Sequence, residues 1–156
     1  MKKLLLAAML LFAPALHAAD LVTHNSVLIQ ADAEEIWPYI VDPGDWKAGV
    51  QLIPVDDEAM KFNAVMPDDP DTPLYIIYNV EFVPGQRRTV RLATLENATM
   101  GYASWHLEEV NSATLVTYDV YSYAEIPAEM EARYLEENSK RFQAELETLK
   151  KMVEAR

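Results

Sequence analysis

Side chains able to do acid–base, nucleophilic or metal chemistry are few and scattered in this sequence. Beyond the first 18 residues the only His are His24 and His106, far from one another in the chain, and a closed metal site needs three or four ligands, so no metal is implied. Asp68-Asp69-Pro70-Asp71 has the acid density of a calcium loop. It lacks the Gly and the closing Glu of an EF-hand and reads as a solvated acidic loop. No Cys occurs, which removes thiol catalysis and disulfides. Gly44, Gly49, Gly85 and Gly101 form neither a phosphate-cradling loop nor a nucleophile elbow, so no nucleotide cofactor is expected. Asn97-Ala98-Thr99 matches a glycosylation triplet, and chance in a turn explains it. The polar groups left for a site are the Tyr78 and Tyr118 hydroxyls and, with its alternation pointing outward, the Asn79 amide.

These groups sit on strands. From Val50 to Ala124 apolar residues recur with period two, the signature of half-buried strands. Met60, Phe62, Met66, Ile76, Tyr78, Val80, Phe82, Val90, Leu92, Trp105, Leu107, Val116, Tyr118 and Val120 form the expected inward set. Pro84-Gly85 and Asn111-Ser112 supply turns, and short turns between strands indicate one antiparallel sheet. Met66 to Pro73 is read as a longer, proline-rich loop, too long for a tight hairpin, placed beside a cavity mouth near Trp46. A strand over Leu21–Gln30 precedes the sheet. Asp32-Ala33-Glu34-Glu35 then starts a short helix as a capping box, bent at Pro38 and closed by Asp42-Pro43-Gly44-Asp45-Trp46.

A second helix ends the chain. Pro127 suits a first helical turn, and Met130, Tyr134, Leu135, Phe142, Leu146, Leu149 and Val153 recur at helical spacing. Asn138 interrupts that stripe. The predicted fold class is α+β: a curved antiparallel sheet gripping a long C-terminal helix, with short helices after the first strand.

The first residues predict export. Lys2-Lys3 precede the uncharged run Leu4–Ala13, then Pro14 and the small residues Ala18-Ala19, the layout of a secretory signal peptide. The run is shorter than the ~20 residues a membrane span needs. Residues 1–18 are read as the signal peptide and 19–156 as one domain, with cleavage after Ala18 or Ala19, no stable membrane anchor afterwards, and a periplasmic or secreted location. The net charge is −12, and loss of Lys2 and Lys3 makes it more negative. Such a charge repels phosphate backbones, so nucleic acid is not an expected partner.

The stretch Val27-Leu28-Ile29-Gln30-Ala31-Asp32-Ala33-Glu34-Glu35-Ile36-Trp37, continuing to Asp42 and Trp46, resembles the opening of the START-related, polyketide-cyclase-like (SRPBCC) helix-grip superfamily. Trp105-His106-Leu107, Ala113-Thr114-Leu115-Val116 and Ile126-Pro127 before a long helix resemble its closing half. The resemblance implies a cavity between sheet and last helix, in which family members hold lipids, sterols, quinones, hormones or polyketide intermediates, while a minority catalyse cyclisation or dehydration. No shared catalytic motif exists to carry over. The expected wall is apolar with a few hydroxyl tips and contains no carboxylate and no His, the makeup of a ligand site. Phe62, Met66, Tyr78, Trp105, Tyr118, Met130 and Tyr134 are the candidate ligand-binding residues. The sequence therefore favours a binding or carrier protein for a hydrophobic small molecule or lipid, with no cofactor and no catalytic residue. A cyclase- or dehydratase-like enzyme is the alternative, and a buried carboxylate or His with a perturbed pKa beside the cavity would favour it. A weaker alternative is a protein-interaction module presenting Tyr121 and Tyr123.

Overall fold

The structure is a computed structural model in which residues 16–47, 49–56 and 60–156 are described. The elements run β1 (Leu16–Ile29), α1 (Ala33–Val41), β2 (Gln51–Pro54), β3 (Lys61–Met66), β4 (Asp69–Val83), β5 (Arg87–Ala93), β6 (Thr99–Val110), β7 (Ala113–Pro127) and α2 (Glu131–Glu154). One seven-stranded sheet has the order β1-β7-β6-β5-β4-β3-β2, and every pair is antiparallel. Strands β2 to β7 form a meander, and β1 returns to lie along the whole of β7. This is the predicted curved sheet with a long C-terminal helix and a short helix after the first strand. Residues 1–15, which carry most of the expected signal peptide, lie outside the described residues. Among the described residues no helix is long and apolar enough to cross a membrane.

Local chemistry explains the ends of the elements. The Glu35 carboxylate accepts from the Asp32 backbone N–H at 3.2 Å, so half of the capping box is visible as a hydrogen bond at the start of α1. Pro38 stands inside that helix, which ends three residues later at Val41. Asn111 has a positive φ of 58° in the turn between β6 and β7, a conformation Asn tolerates. The second helix begins later than Pro127 predicts. Pro127 still belongs to β7, a 3-10 turn spans Ala128–Met130, and α2 starts at Glu131.

Two expectations on β4 are corrected. The alternation that placed Ile76, Tyr78, Val80 and Phe82 on one face breaks at a β-bulge between Asn79 and Glu81. The extra residue, Val80, is 52% exposed. Upstream of it, Tyr75, Ile77 and Asn79 take the inner face and Tyr78 the outer one, since an unpaired residue flips the phase of everything beyond it. The Met66–Pro73 segment is not a long loop. Met66 pairs with Asp69 across a turn made by Pro67 and Asp68, and β4 runs on through Pro70 and Pro73. Prolines are tolerated there because this end of β4 pairs only with β3; β5 reaches no further than Ala93 opposite Ile76.

Helix α2 lies on the concave face but is seated toward one edge. The Asn25 amide donates to the Ser139 carbonyl at 3.0 Å and the Gln143 amide to the Ser26 carbonyl at 3.1 Å. Lys150 Nζ donates to the Leu28 carbonyl at 2.6 Å. All three ties reach β1. Phe142, Leu146, Leu149 and Val153 close the core from the helix side, with Ile29, Ile36, Ile40 and Val116 opposite. Seating the helix over β1 leaves the inner faces of β4, β5 and β6 less covered, and the free space lies there.

Candidate functional site

A cavity of about 230 Å³ lies between those strands and the first half of α2. Its floor is Ile77, Val90, Leu92, Ala103 and Val120; Leu52 and Val50 close one side, and Tyr134, Asn138, Arg141, Phe142 and Glu145 form the roof. The roof residues fall at i, i+4, i+7, i+8 and i+11, one face of a helix. Ala103 helps to leave the space open: it is 2% exposed on the inner face of β6, where a larger side chain would project into the void.

An aromatic stack stands at the centre. Trp105 and Tyr118, directly paired across β6 and β7, lie with ring centroids 4.8 Å apart and nearly parallel at 11°. Phe142 meets Tyr118 edge-on at 5.3 Å. Lys47, from the turn after α1, places its ammonium 4.9 Å from the Tyr118 ring and 5.5 Å from the Trp105 ring, within cation–π range. The same ammonium donates to the Tyr118 hydroxyl at 2.6 Å and stands 4.0 Å from Glu145 Oε2.

The wall is therefore charged, contrary to the apolar surface expected from the strand pattern. Burial pushes the Glu145 carboxyl above its ordinary value, with Lys47 and Arg141 pulling the other way. For Lys47 burial alone favours the neutral form, but Tyr118, Glu145 and Tyr75 together outweigh it and hold the ammonium above its usual range. Arg88, 1% exposed, also lines the cavity. Its Nη1 donates to the carbonyls of Ile40 at 2.5 Å and Val41 at 2.9 Å, and its Nε to Asn79 Oδ1 at 2.8 Å. Burial lowers it to about 10, Asp42 opposing, which leaves it cationic at neutral pH.

Of the seven residues singled out from the sequence, three line the cavity: Trp105, Tyr118 and Tyr134. Phe62 is buried in the adjoining core, its ring 5.7 Å from the Arg88 guanidinium. Tyr78 stacks on the outer face against Arg91 at 4.3 Å, on the far side of the sheet because of the bulge. Met66 is 40% exposed at the β3–β4 turn, beyond register shifts after Ala64 and Val65. Met130 is 46% exposed in the turn that precedes α2, since the helix starts after it. Sequence reasoning missed Lys47, Arg88 and Glu145. Arg88 was findable, being in phase with Val90 and Leu92. Glu145 follows Asn138 by seven residues, and the interruption that Asn138 makes in the apolar stripe marks where the roof is polar. Lys47 lies in an irregular turn with no periodic signal. His24 is on the outer face, 2.5 Å from Asp119, and among the described residues no three metal-ligating side chains come together.

The sheet order, the long helix seated on it and the cavity between them define a helix-grip fold, the fold that the sequence resemblance implied. Solved structures share it. A conserved protein from Geobacillus kaustophilus superposes with a TM-score of 0.63 at 16% identity, covering 86% of this chain and 96% of that one. The Aha1 dimer from Colwellia psychrerythraea gives 0.61 at 15%, covering 86% and 96%. CalU16 from Micromonospora echinospora gives 0.58 at 10%, covering 88% and 86%. No family model matches the sequence, and no curated protein matches it.

Proposed function

We propose that this chain is an exported binding protein for a compact hydrophobic small molecule held between the sheet and α2. The observation that carries the reading is the cavity between sheet and helix with the Trp105–Tyr118 stack in its wall. Its size narrows the ligand. About 230 Å³ exceeds the ~150 Å³ that accommodates benzene but falls below the roughly 300–1,000 Å³ of drug-sized sites. A one- or two-ring molecule fills it, so the reading narrows from a whole lipid to a small apolar ligand. The acidic surface disfavours nucleic acid. Export rests on Lys2-Lys3 and the Leu-rich run after them.

Native mass spectrometry of protein purified from its own host tests the binding role. The expected result is a small-molecule adduct, lost in Ala103→Phe while the variant keeps its fold. Protein without an adduct, and without affinity for one- or two-ring apolar compounds, would sink the reading.

One observation favours a second reading. Glu145 is a largely buried carboxylate with a raised pKa beside the cavity, 4.0 Å from the Lys47 ammonium that donates to the Tyr118 hydroxyl. Such a group is the acid or base a cyclase- or dehydratase-like enzyme requires. Recovery of a chemically altered ligand after incubation with the native protein, but not with Glu145→Gln, would favour the enzyme over the carrier.

A further inference from the structure

The polar part of the cavity narrows the ligand further, on the premise that the cavity binds one. Among the described residues Glu145 Oε2, in the wall of this cavity, is a buried polar atom without a hydrogen-bond partner. Buried polar groups are normally satisfied, so this oxygen marks a place where something else supplies a donor. Glu145 Oε2 needs a donor. Lys47 has three N–H groups; one goes to Tyr118, and the nearest carboxylate oxygen is too distant for a hydrogen bond at 4.0 Å.

The geometry points to a ligand that carries a hydroxyl group, alcohol or phenol, seated between Lys47 and Glu145. An oxygen can stand about 2.8 Å from both atoms across that gap, within ordinary hydrogen-bond lengths. The hydroxyl accepts from the Lys47 ammonium and donates to Glu145 Oε2, which one oxygen can do at once. Other groups fit less well. A ketone accepts from Lys47 but leaves Glu145 without a donor. A carboxylate places a second anion beside Glu145, whose charge already balances Lys47. A protonated amine satisfies Glu145 but faces the Lys47 ammonium. The rest of the ligand lies in the apolar part, beside the Trp105–Tyr118 stack and against Val90, Leu92 and Ala103.

The test is calorimetric titration of the full exported chain with three molecules of one shape: 2-naphthol, 2-methylnaphthalene and 2-naphthoate. The expected order has 2-naphthol at least tenfold tighter than the methyl compound, with the carboxylate weakest. Glu145→Leu and Lys47→Met should each erase the hydroxyl preference while 2-methylnaphthalene still binds, which also shows that the variants fold. Equal affinities for naphthol and methylnaphthalene in the parent protein overturn the hydroxyl assignment and leave the cavity as an apolar site. Tightest binding of the carboxylate overturns it in favour of an acid ligand held by the cations. Absence of binding by all three overturns the binding-protein reading itself, and this assignment with it.

Discussion

At the residue scale the decisive groups are those whose neighbours cannot be seen along the chain. Trp105 is 3% exposed, lines the cavity and supports Tyr118. Trp105→Ala should therefore act twice: folding weakens by about 3–5 kcal/mol from the lost packing, and affinity for an apolar ligand by about 1–3 kcal/mol from the lost contact area. Ala103→Leu separates the effects. It fills space instead of creating it, so stability should change by no more than about 1–3 kcal/mol while binding of a two-ring probe falls at least tenfold; denaturant unfolding and titration on the same sample check both. Glu145 makes a pH prediction. Its folded pKa is raised by burial against the pull of Lys47 and Arg141, so just above the ordinary carboxylate range the folded protein keeps a proton that the unfolded chain has released. Stability from this group is then present at low pH and lost as pH rises through that window. Glu145→Gln should gain on the parent as pH rises there, read from denaturant midpoints across a pH series; a constant difference would show that the carboxyl is not held up.

At the element scale the site depends on how α1 and α2 are fixed to the sheet. The Arg88 guanidinium joins β5 to the last carbonyls of α1, at Ile40 and Val41, and to Asn79 on β4. Arg88→Met removes those donors and strands buried acceptors. The expected loss is about 3 kcal/mol of stability, from charged hydrogen bonds that nothing replaces, with faster amide exchange over Ile36–Val41 as the local sign. A change no larger than that of an exposed control such as Arg87→Met would contradict the role. The bulge at Val80 is the other element-scale device. It lets Tyr75 and Ile77 face the cavity upstream while Phe82 meets Trp37 downstream, ring centroids 5.4 Å apart. A strict two-residue repeat has no way to announce it, because Val80 is as good a strand residue as its neighbours.

At the scale of the whole molecule, the cavity follows from an off-centre helix. Asn25, Gln143 and Lys150 tie α2 to β1, and the inner faces of β4, β5 and β6 are left to line the cavity. A ligand that binds only the folded state must stabilise it in proportion to the logarithm of its concentration over Kd. Naphthol at about 100 times its Kd should raise folding stability by about 2.7 kcal/mol, visible as a higher Tm in the parent and absent in Ala103→Phe. Export is tested on the whole chain as well. N-terminal sequencing of the mature protein should begin at Ala19 or Asp20, and Met1 in a soluble cytoplasmic pool would refute it.

What the sequence by itself determined were the features written in local repetition. Period two from Val50 onward produced the antiparallel sheet, the Asp32–Glu35 pair marked the start of α1, and the apolar stripe through Phe142, Leu146, Leu149 and Val153 set the buried face of α2. Trp105, Tyr118 and Tyr134 were legible as cavity residues because each lies in phase with its apolar neighbours. Only the tertiary structure decided the rest. Tyr78 went to the outer face because one bulged residue inverts a phase that local pattern treats as continuous. Met66 and Met130 fell at element ends, where periodicity stops carrying information. Lys47, Arg88 and Glu145 became parts of one wall through contacts between a turn, a strand and a helix that are far apart in the chain. A charged side chain reads as surface in a sequence, since burial of charge is expensive. It becomes an interior group only when the fold supplies its partners, as Tyr118 and Glu145 do for Lys47 and the carbonyls of α1 do for Arg88.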